Sequence, residues 1–374
     1  MKRFGFISPP LGKSNNIPFS NLCMILSEFT QDLLIFVIGT EDISMIPNKA
    51  NIIFLKYTGV SKVITKNFMG NIKEYIINRT ALIKKILQLR RQADIWFFFM
   101  GDKFLLPFCL LKLLQKKVII IMAGNYKNEV RLNKSFLGYL YLFNRAFILS
   151  CTDYIILYSE KFLSKWHLEN CRHKILIAHR HFLDFTTFTV TISYPDRPPL
   201  IGYIGRLSAE KGVQHFVQAL PTILKDHPDL HILIGGDGQL KDSITASLDT
   251  EKITSRVDLP GWISHDDLPK YLNQLRLLVL PSYTEGLPNI MLEAMACGTP
   301  VLATPVGAVP DVIRDGETGF IMEDNSPECI ARNVLRALND PNLEGVADRG
   351  RRFVEGEFTF EKAVERWKTV IEEI

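Results

Sequence analysis

Two spacings of apolar residues alternate along this chain. Short apolar runs, Phe4 to Ser8, Leu33 to Ile38, Ile52 to Tyr57, Ile95 to Phe99, Val118 to Met122 and Thr152 to Ser159, are separated by stretches of helical periodicity. Among these stretches are Asn21 to Gln31, Arg79 to Gln92 and Tyr139 to Leu149. The alternation is more regular in the second half. There the strand-like runs Leu200 to Ile204, His231 to Ile234, Arg256 to Leu259, Leu277 to Leu280 and Val301 to Ala303 interleave with helix-like stretches. Those are Val213 to His227, Leu240 to Leu248, Asp266 to Gln274, Ile290 to Cys297 and Pro310 to Ile313, and Phe360 to Ile374 is again helical. Buried strands recurring with helices between them predict βαβ units and parallel sheets.

A chain of 374 residues exceeds one ordinary core, and 47% hydrophobic with 22% charged residues marks a folded protein. Two domains are expected, 1–188 and 200–356. A linker at 189–199, containing Pro195, Pro198 and Pro199, joins them, and the stretch 357–374 closes the chain. Charge divides the same way: residues 1–198 hold 27 Lys and Arg against 13 Asp and Glu, and the remainder 17 against 27. A basic half suits nucleic acid, an anionic membrane surface or an acidic substrate. No zinc-finger spacing, aromatic RNA-binding motif or helix-turn-helix pattern accompanies it, which disfavours nucleic acid.

Arg79 to Gln92 sets Leu82, Ile86 and Leu89 on one stripe, with Lys84, Lys85 and Arg91 across from it. Such a helix either lies on an anionic membrane with its apolar face uncovered or packs on its own sheet with a solvated basic face. Six scattered cysteines fit a reducing compartment. The N-terminal apolar stretch is too short for a signal peptide, and Asp102, Lys103 and Pro107 interrupt the most apolar window, Ile95 to Leu114. The expected location is cytoplasmic, with the inner face of the membrane as a candidate surface.

The chemistry concentrates in LLVLPSYTEGLPNIMLEAMACGTP, Leu277 to Pro300. A buried strand feeds a helix through a tight loop. Pro288 suits the first helical turn, and Gly298 a left-handed cap. The N–H groups of Gly286, Leu287, Asn289 and Ile290 then gather at the positive end of the helix dipole, an anion site. Glu285 precedes them, and Glu293 lies one turn inside the helix from Asn289. Met291, Leu292, Ala294, Met295 and Ala296 make that helix apolar nearly all round, so a Glu293 carboxylate within it needs a partner. Arg206 and Lys211, in GRLSAEKG, follow another strand and can close together on a diphosphate. Arg206 beside a positive dipole end is unfavourable without an anion.

Glu285, seven residues, Glu293 is weak evidence by itself, but it keeps ordered company: IGYIGRLSAEKG (201–212), LHILIGGDG (230–238), LPGWISHDDLPKYL (259–272) and ATPVGAVPDVIRDGETGFIM (303–322). Together these resemble the retaining glycosyltransferases of the GT-B fold, in particular glycosyltransferase family 4 (glycosyl transferases group 1), well over Leu200 to Pro341 and weakly elsewhere. The resemblance implies an α/β fold of two Rossmann-like, doubly wound parallel-sheet domains facing a cleft. It also implies an enzyme that moves a sugar from a nucleotide-diphosphate donor, such as a UDP- or GDP-sugar, to a hydroxyl of a glycan or lipid-linked acceptor.

By resemblance Gly205, Arg206 and Lys211 hold the diphosphate, and Arg206 and Lys211 stabilise the departing nucleoside diphosphate. Gly236 lets the nucleotide lie close. Trp262 and Ile263 hold the base through backbone groups; the Trp262 ring either stacks on the base or, as is commoner for Trp, packs on its own domain. Glu285 holds sugar hydroxyls, Gly286, Leu287, Pro288, Asn289 and Ile290 form the cradle, and Glu293 accepts from the ribose. The sequence has no Asp-x-Asp and no His cluster, so neither metal nor cofactor is expected. His179 and His181 read as local structure, and Asp184 and Phe188 match the family's Asp-x-x-x-Phe.

The first half departs from the family. The loop at Gly12 has one glycine where relatives carry a pair, and Ala123, Gly124 and Asn125 stand where relatives often place a His. The last helix of the family crosses back to the first domain. Two rivals stay open: a UDP-sugar epimerase on the same fold, and a relative that binds nucleotide sugar without catalysis.

Overall fold

A computed structural model describes residues 2–8, 16–38, 50–55, 80–99, 104–122 and 136–374. The expected Gly12, Gly124 and Asn125 contacts lie outside these residues. The chain divides into two compact units, Met1–His181 with Ala363–Ile374, and Phe182–Lys362.

The first unit is built on a seven-stranded sheet in the order β3-β2-β1-β4-β5-β6-β7. Its strands are β1 Phe4–Ser8, β2 Leu33–Ile38, β3 Ala50–Leu55, β4 Ile95–Phe99, β5 Lys117–Met122, β6 Tyr154–Leu157 and β7 Ile175–Ile177. Every pairing is parallel. Strands such as IWFFF and KVIIIM bury both faces, as a sheet covered on both sides requires. Aromatic side chains fill one layer: Phe6 stacks near Phe19 at 5.2 Å, and Phe4 meets Phe97 edge-on at 5.4 Å. The helix over residues 80–89 buries Leu82 and Ile86 completely and leaves Lys84 and Lys85 exposed. Leu89 is half-buried and Leu87 exposed, so two of the three stripe residues are covered, which favours the packed alternative over the membrane one for this helix.

From Ala363 onward the last helix, Phe360–Glu373, belongs to the first unit. Trp367 is fully buried, and its indole N–H donates to His179 O at 3.1 Å. Lys2 and Lys117 donate to the carbonyls of Ile371 and Ile374, each at 2.5 Å, placing two cations at a helix C-terminus, where the dipole favours them.

The second unit holds a six-stranded sheet, β10-β9-β8-β11-β12-β13, again all parallel. The strands are β8 Leu200–Ile204, β9 His231–Gly235, β10 Val257–Gly261, β11 Leu277–Leu280, β12 Val301–Ala303 and β13 Phe320–Ile321. Its core joins Phe216, Leu220 and Ile223 of helix Val213–Asp226 to Ile330 and Val334 of helix Pro327–Leu338. The helices Pro327–Leu338 and Leu343–Glu357 and the two-residue β13 add to the elements read from the sequence. Burial pushes the Cys23 thiol well above its ordinary value and Cys297 up to about 12, so both stay neutral fillers.

Residues 189–199, the expected linker, lie within the second unit. Tyr194–Asp196 forms a 3-10 turn, Thr191 N–H donates to Asn273 Oδ1 at 2.7 Å, and Arg197 is buried in the second unit. The proline-rich composition marks the segment as a linker, and its backbone and the Arg197 side chain are hydrogen-bonded within the second unit.

Candidate functional site

In the second unit the strand order reverses between β8 and β11, where the carboxyl ends of parallel strands open a crevice. Two loops meet there, Gly205–Gly212 after β8 and Pro281–Pro288 after β11. Tyr203 donates its hydroxyl to Arg206 O at 2.7 Å and steadies the first loop. Tyr283 N–H donates to Glu210 O at 3.0 Å and joins the two. Gly212, at φ +68°, sits against the second loop so closely that a Cβ there would lie 2.0 Å from Pro281 O. Only glycine fits both the left-handed backbone and the space.

The contact brings Lys211 onto Glu285. Lys211 Nζ lies 2.7 Å from Glu285 Oε1, and Ser282 Oγ donates to the same oxygen at 2.7 Å. The carboxylate side chain is only 10% exposed, and among the described residues its Oε2 takes no hydrogen bond. Arg206 behaves differently. Its guanidinium is 3.4 Å from Glu210 Oε1, and its side chain is 56% exposed. Glu210 is the anion that the sequence argument found missing beside Arg206, so a bound diphosphate is not needed to explain that cation. The structure thus brings Lys211 and Glu285 together and leaves Arg206 on a carboxylate of its own loop.

After Glu285 the chain enters helix Asn289–Ala296 with Pro288 at its cap. The N–H groups of Gly286, Leu287, Asn289 and Ile290 donate to no acceptor among the described residues. A Cβ built on Gly286 meets nothing within 4 Å among the described residues. The loop after β12 supports it from behind: Ala308 N–H donates to Gly286 O at 2.8 Å.

Glu293, one turn along, is 6% exposed. Its partner is His265, whose Nε2 lies 3.4 Å from Oε1. The contact with Glu293 holds the His265 imidazole above its ordinary pKa, against the lowering effect of burial. Phe188 packs edge-on against the same ring at 5.2 Å. His265 stands in the quoted stretch LPGWISHDDLPKYL but drew no role, because the sequence does not show that the loop after β10 reaches the Glu293 helix.

On the other side, Gly205 N–H donates to Gly235 O and Gly236 N–H to Gly261 O, which packs the loops after β8, β9 and β10 together. Ile263 lies over Gly235, its Cδ1 2.5 Å from where a Cβ would stand. Trp262 is 72% exposed, which overturns the packed alternative for its ring. Asp184 is bound by its own loop: Thr186 and Thr187 donate to its carboxylate and hold it down at about 2. His179 and His181 lie 5.6 Å apart, ring to ring, and among the described residues no three His, Cys, Asp or Glu side chains gather where they could hold a metal ion. A polar recess of about 440 Å³, lined by Tyr194, Arg197, Asn342 and Glu344 among others, sits at the opposite end of the helix, beside Gly298.

Comparison with known proteins gives the following. Residues 186–352 match the family model described as glycosyl transferases group 1. The alpha-D-kanosaminyltransferase of Streptomyces kanamyceticus is 32% identical over 148 residues, 40% of this chain and 38% of its own length. The N-acetyl-alpha-D-glucosaminyl L-malate synthase of Bacillus anthracis is 30% identical over 188 residues, 50% of this chain and 49% of its own. The chain thus spans less than half the length of the curated relatives it matches. Among solved structures, Anabaena Alr3699/HepE in complex with UDP and glucose superposes with a TM-score of 0.75 at 15% identity, covering 100% of both chains. The sucrose-phosphate synthase from Thermosynechococcus elongatus gives 0.74 at 18%, over 100% of this chain and 99% of that one. At such identities the likeness is one of fold.

Proposed function

We propose, from the match of residues 186–352 to the family model described as glycosyl transferases group 1 and from the GT-B fold, that this protein is a glycosyltransferase. It moves a sugar from a nucleotide-diphosphate donor to a hydroxyl of a glycan or lipid-linked acceptor, with retention and without a metal or cofactor. The observation that carries this reading is the Lys211–Glu285 ion pair at the mouth of a helix whose first amides find no acceptor among the described residues.

Breaking the anomeric C–O bond leaves negative charge on the departing diphosphate and positive charge on the sugar. Lys211, Arg206 and the amides of Gly286, Leu287, Asn289 and Ile290 receive the first, in place of a metal. On donor binding, Lys211 turns from Glu285 to phosphate, and Glu285 accepts hydrogen bonds from sugar hydroxyls. Glu293 takes the ribose hydroxyls, Gly236 and Ile263 border the nucleotide, and the exposed Trp262 ring covers the base. The acceptor hydroxyl attacks on the face the phosphate is leaving. Its oxygen bonds to the anomeric carbon, the C–O bond to phosphate breaks, and the acceptor proton passes to a phosphate oxygen. The products are a glycoside and a nucleoside diphosphate. A UDP- or GDP-sugar is the donor class, and HepE, solved with UDP and glucose, supports the first.

Acceptor recognition is assigned to the basic first unit. Exposed Leu106, Leu113, Phe143 and Phe147 on its helices, together with the Lys and Arg excess, support a lipid-linked acceptor at an anionic membrane face. Among the described residues no helix is long and apolar enough to cross a membrane. A thermal-shift screen against nucleotide sugars, followed by detection of the released nucleoside diphosphate with candidate acceptors, tests the reading. Loss of release in Glu285→Gln is expected, and equal release from that variant and the parent refutes the site. Incubation with a nucleotide sugar alone, yielding an epimer, would identify an epimerase instead. Salt-sensitive flotation with anionic vesicles checks the membrane face.

A further inference from the structure

The strongest unassigned contact in the second unit joins His265 to Glu293. A carboxylate whose side chain is 8% exposed, set in a helix that is otherwise apolar, needs donors to remain charged. Two features limit what His265 can supply. The pair is 3.4 Å long, an ion pair rather than a short hydrogen bond, and among the described residues Glu293 Oε2 takes no hydrogen bond. Half of the carboxylate is thus held by the protein and half is left for a ligand. The His265 ring is itself fixed: Phe188 packs edge-on from the 182–188 segment, and Asp266 adds a second negative charge on its own loop. The loop that carries His265 also carries Trp262 and Ile263, so the ring reports between the base side and the ribose side of one site.

We propose that His265 is a positioning residue for the ribose, its imidazolium holding Glu293 Oε1 so that Oε2 faces the 2′,3′-diol of the donor. This rests on the donor-site reading given above. The groups that face His265 are Glu293 from the helix, Asp266 from its own loop and the uncharged Phe188. Among the described residues the charges acting on it, Glu293 and Asp266, are both negative, and they raise its pKa above the usual histidine value. The positioning is therefore complete below about pH 6.5 and is lost as pH rises through the raised value of the folded protein.

The experiment measures dissociation constants of UDP and 2′,3′-dideoxy-UDP, and of the guanosine pair, for the parent chain, His265→Gln and Glu293→Gln at pH 6.0 and 8.5. With His265→Gln the preference for the ribo form is expected to fall about three- to fivefold at pH 6.0 and to match the parent at pH 8.5. Dideoxy binding should be unaffected throughout. An equal loss for ribo and dideoxy nucleotides, or a loss independent of pH, overturns the proposal, because either marks a general electrostatic or structural effect. If Glu293→Gln loses the ribose preference while His265→Gln keeps it, the proposal fails and the donor site stands. If the parent itself shows no ribose preference, the ribose role of Glu293 fails and takes the proposal with it.

Discussion

Lys211 and Glu285, 74 positions apart in sequence, meet at 2.7 Å where two strand-end loops converge. Each side chain is mostly shielded, at 27% and 10% exposed, so the pair is sheltered from solvent screening. On the function proposed above, a donor would have to separate this pair for Lys211 to reach phosphate and Glu285 the sugar. If Lys211 stabilises the leaving diphosphate as proposed, the expected loss in kcat for Lys211→Ala is about 10²- to 10³-fold. Release of nucleoside diphosphate measures it, with circular dichroism as the fold control. Near-parental turnover in this variant would remove Lys211 from the site.

Trp262 gives a separable prediction. With 72% of the residue exposed, Trp262→Ala should leave the melting temperature unchanged, because little packing is lost. Stacking of an aromatic ring on a base contributes about 1–3 kcal/mol, so nucleotide affinity should fall roughly 5- to 150-fold. Calorimetric titration with UDP and GDP reads this directly. A drop in stability with unchanged affinity would show that the ring serves the fold.

These two residues also show how far sequence reaches. The helix Asn289–Ala296 was legible because a buried strand, a proline at the entry and glycine beyond the exit are local signals. The partner of Glu285 was not, since nothing local in GRLSAEKG says which loop its lysine will touch. Arg206 was read as lacking an anion because its partner, Glu210, is supplied by the chain folding back within the same turn. The Trp262 ring was expected to pack, as large aromatics usually do, and only tertiary structure shows that the loop holds it outward. The two-residue β13 is too short for any periodicity.

Gly307 tests the rigidity behind the cradle. At φ +60°, a Cβ there would stand 2.3 Å from Glu285 O and 2.5 Å from Gly286 O, both backbone atoms that cannot move aside cheaply. Gly307→Ala must shift the loop that carries Glu285 or strain its own, at a cost of about 1–3 kcal/mol. We expect a fall of roughly 3–10 °C in melting temperature and, unlike with Trp262, a parallel loss of turnover. Unchanged activity alongside lowered stability would mean that the β12 loop does not set the position of Glu285.

Arg197 carries the last prediction, at the far end of the same helix. The residue is 2% exposed, yet among the described residues no carboxylate hydrogen-bonds to it; its Nη1 donates to Leu275 O and Thr299 Oγ1 at 2.9 and 2.7 Å, and its Nη2 to Cys297 O at 2.6 Å. Burial lowers its pKa to about 10, which leaves it charged at neutral pH. A cation against the last carbonyls of a helix is favoured by the dipole, and it also binds the 189–199 segment to the helix that forms the cradle. Arg197→Ala strips hydrogen bonds from several buried acceptors at once, an expected loss of about 3–4 kcal/mol and roughly 10 °C in melting temperature. Arg197→Lys keeps the charge but cannot span Leu275 O, Thr299 Oγ1 and Cys297 O with one ammonium, so it should recover only part of the loss. Full recovery with lysine would show that charge alone matters, and no loss with alanine would show that the segment is held by its other contacts.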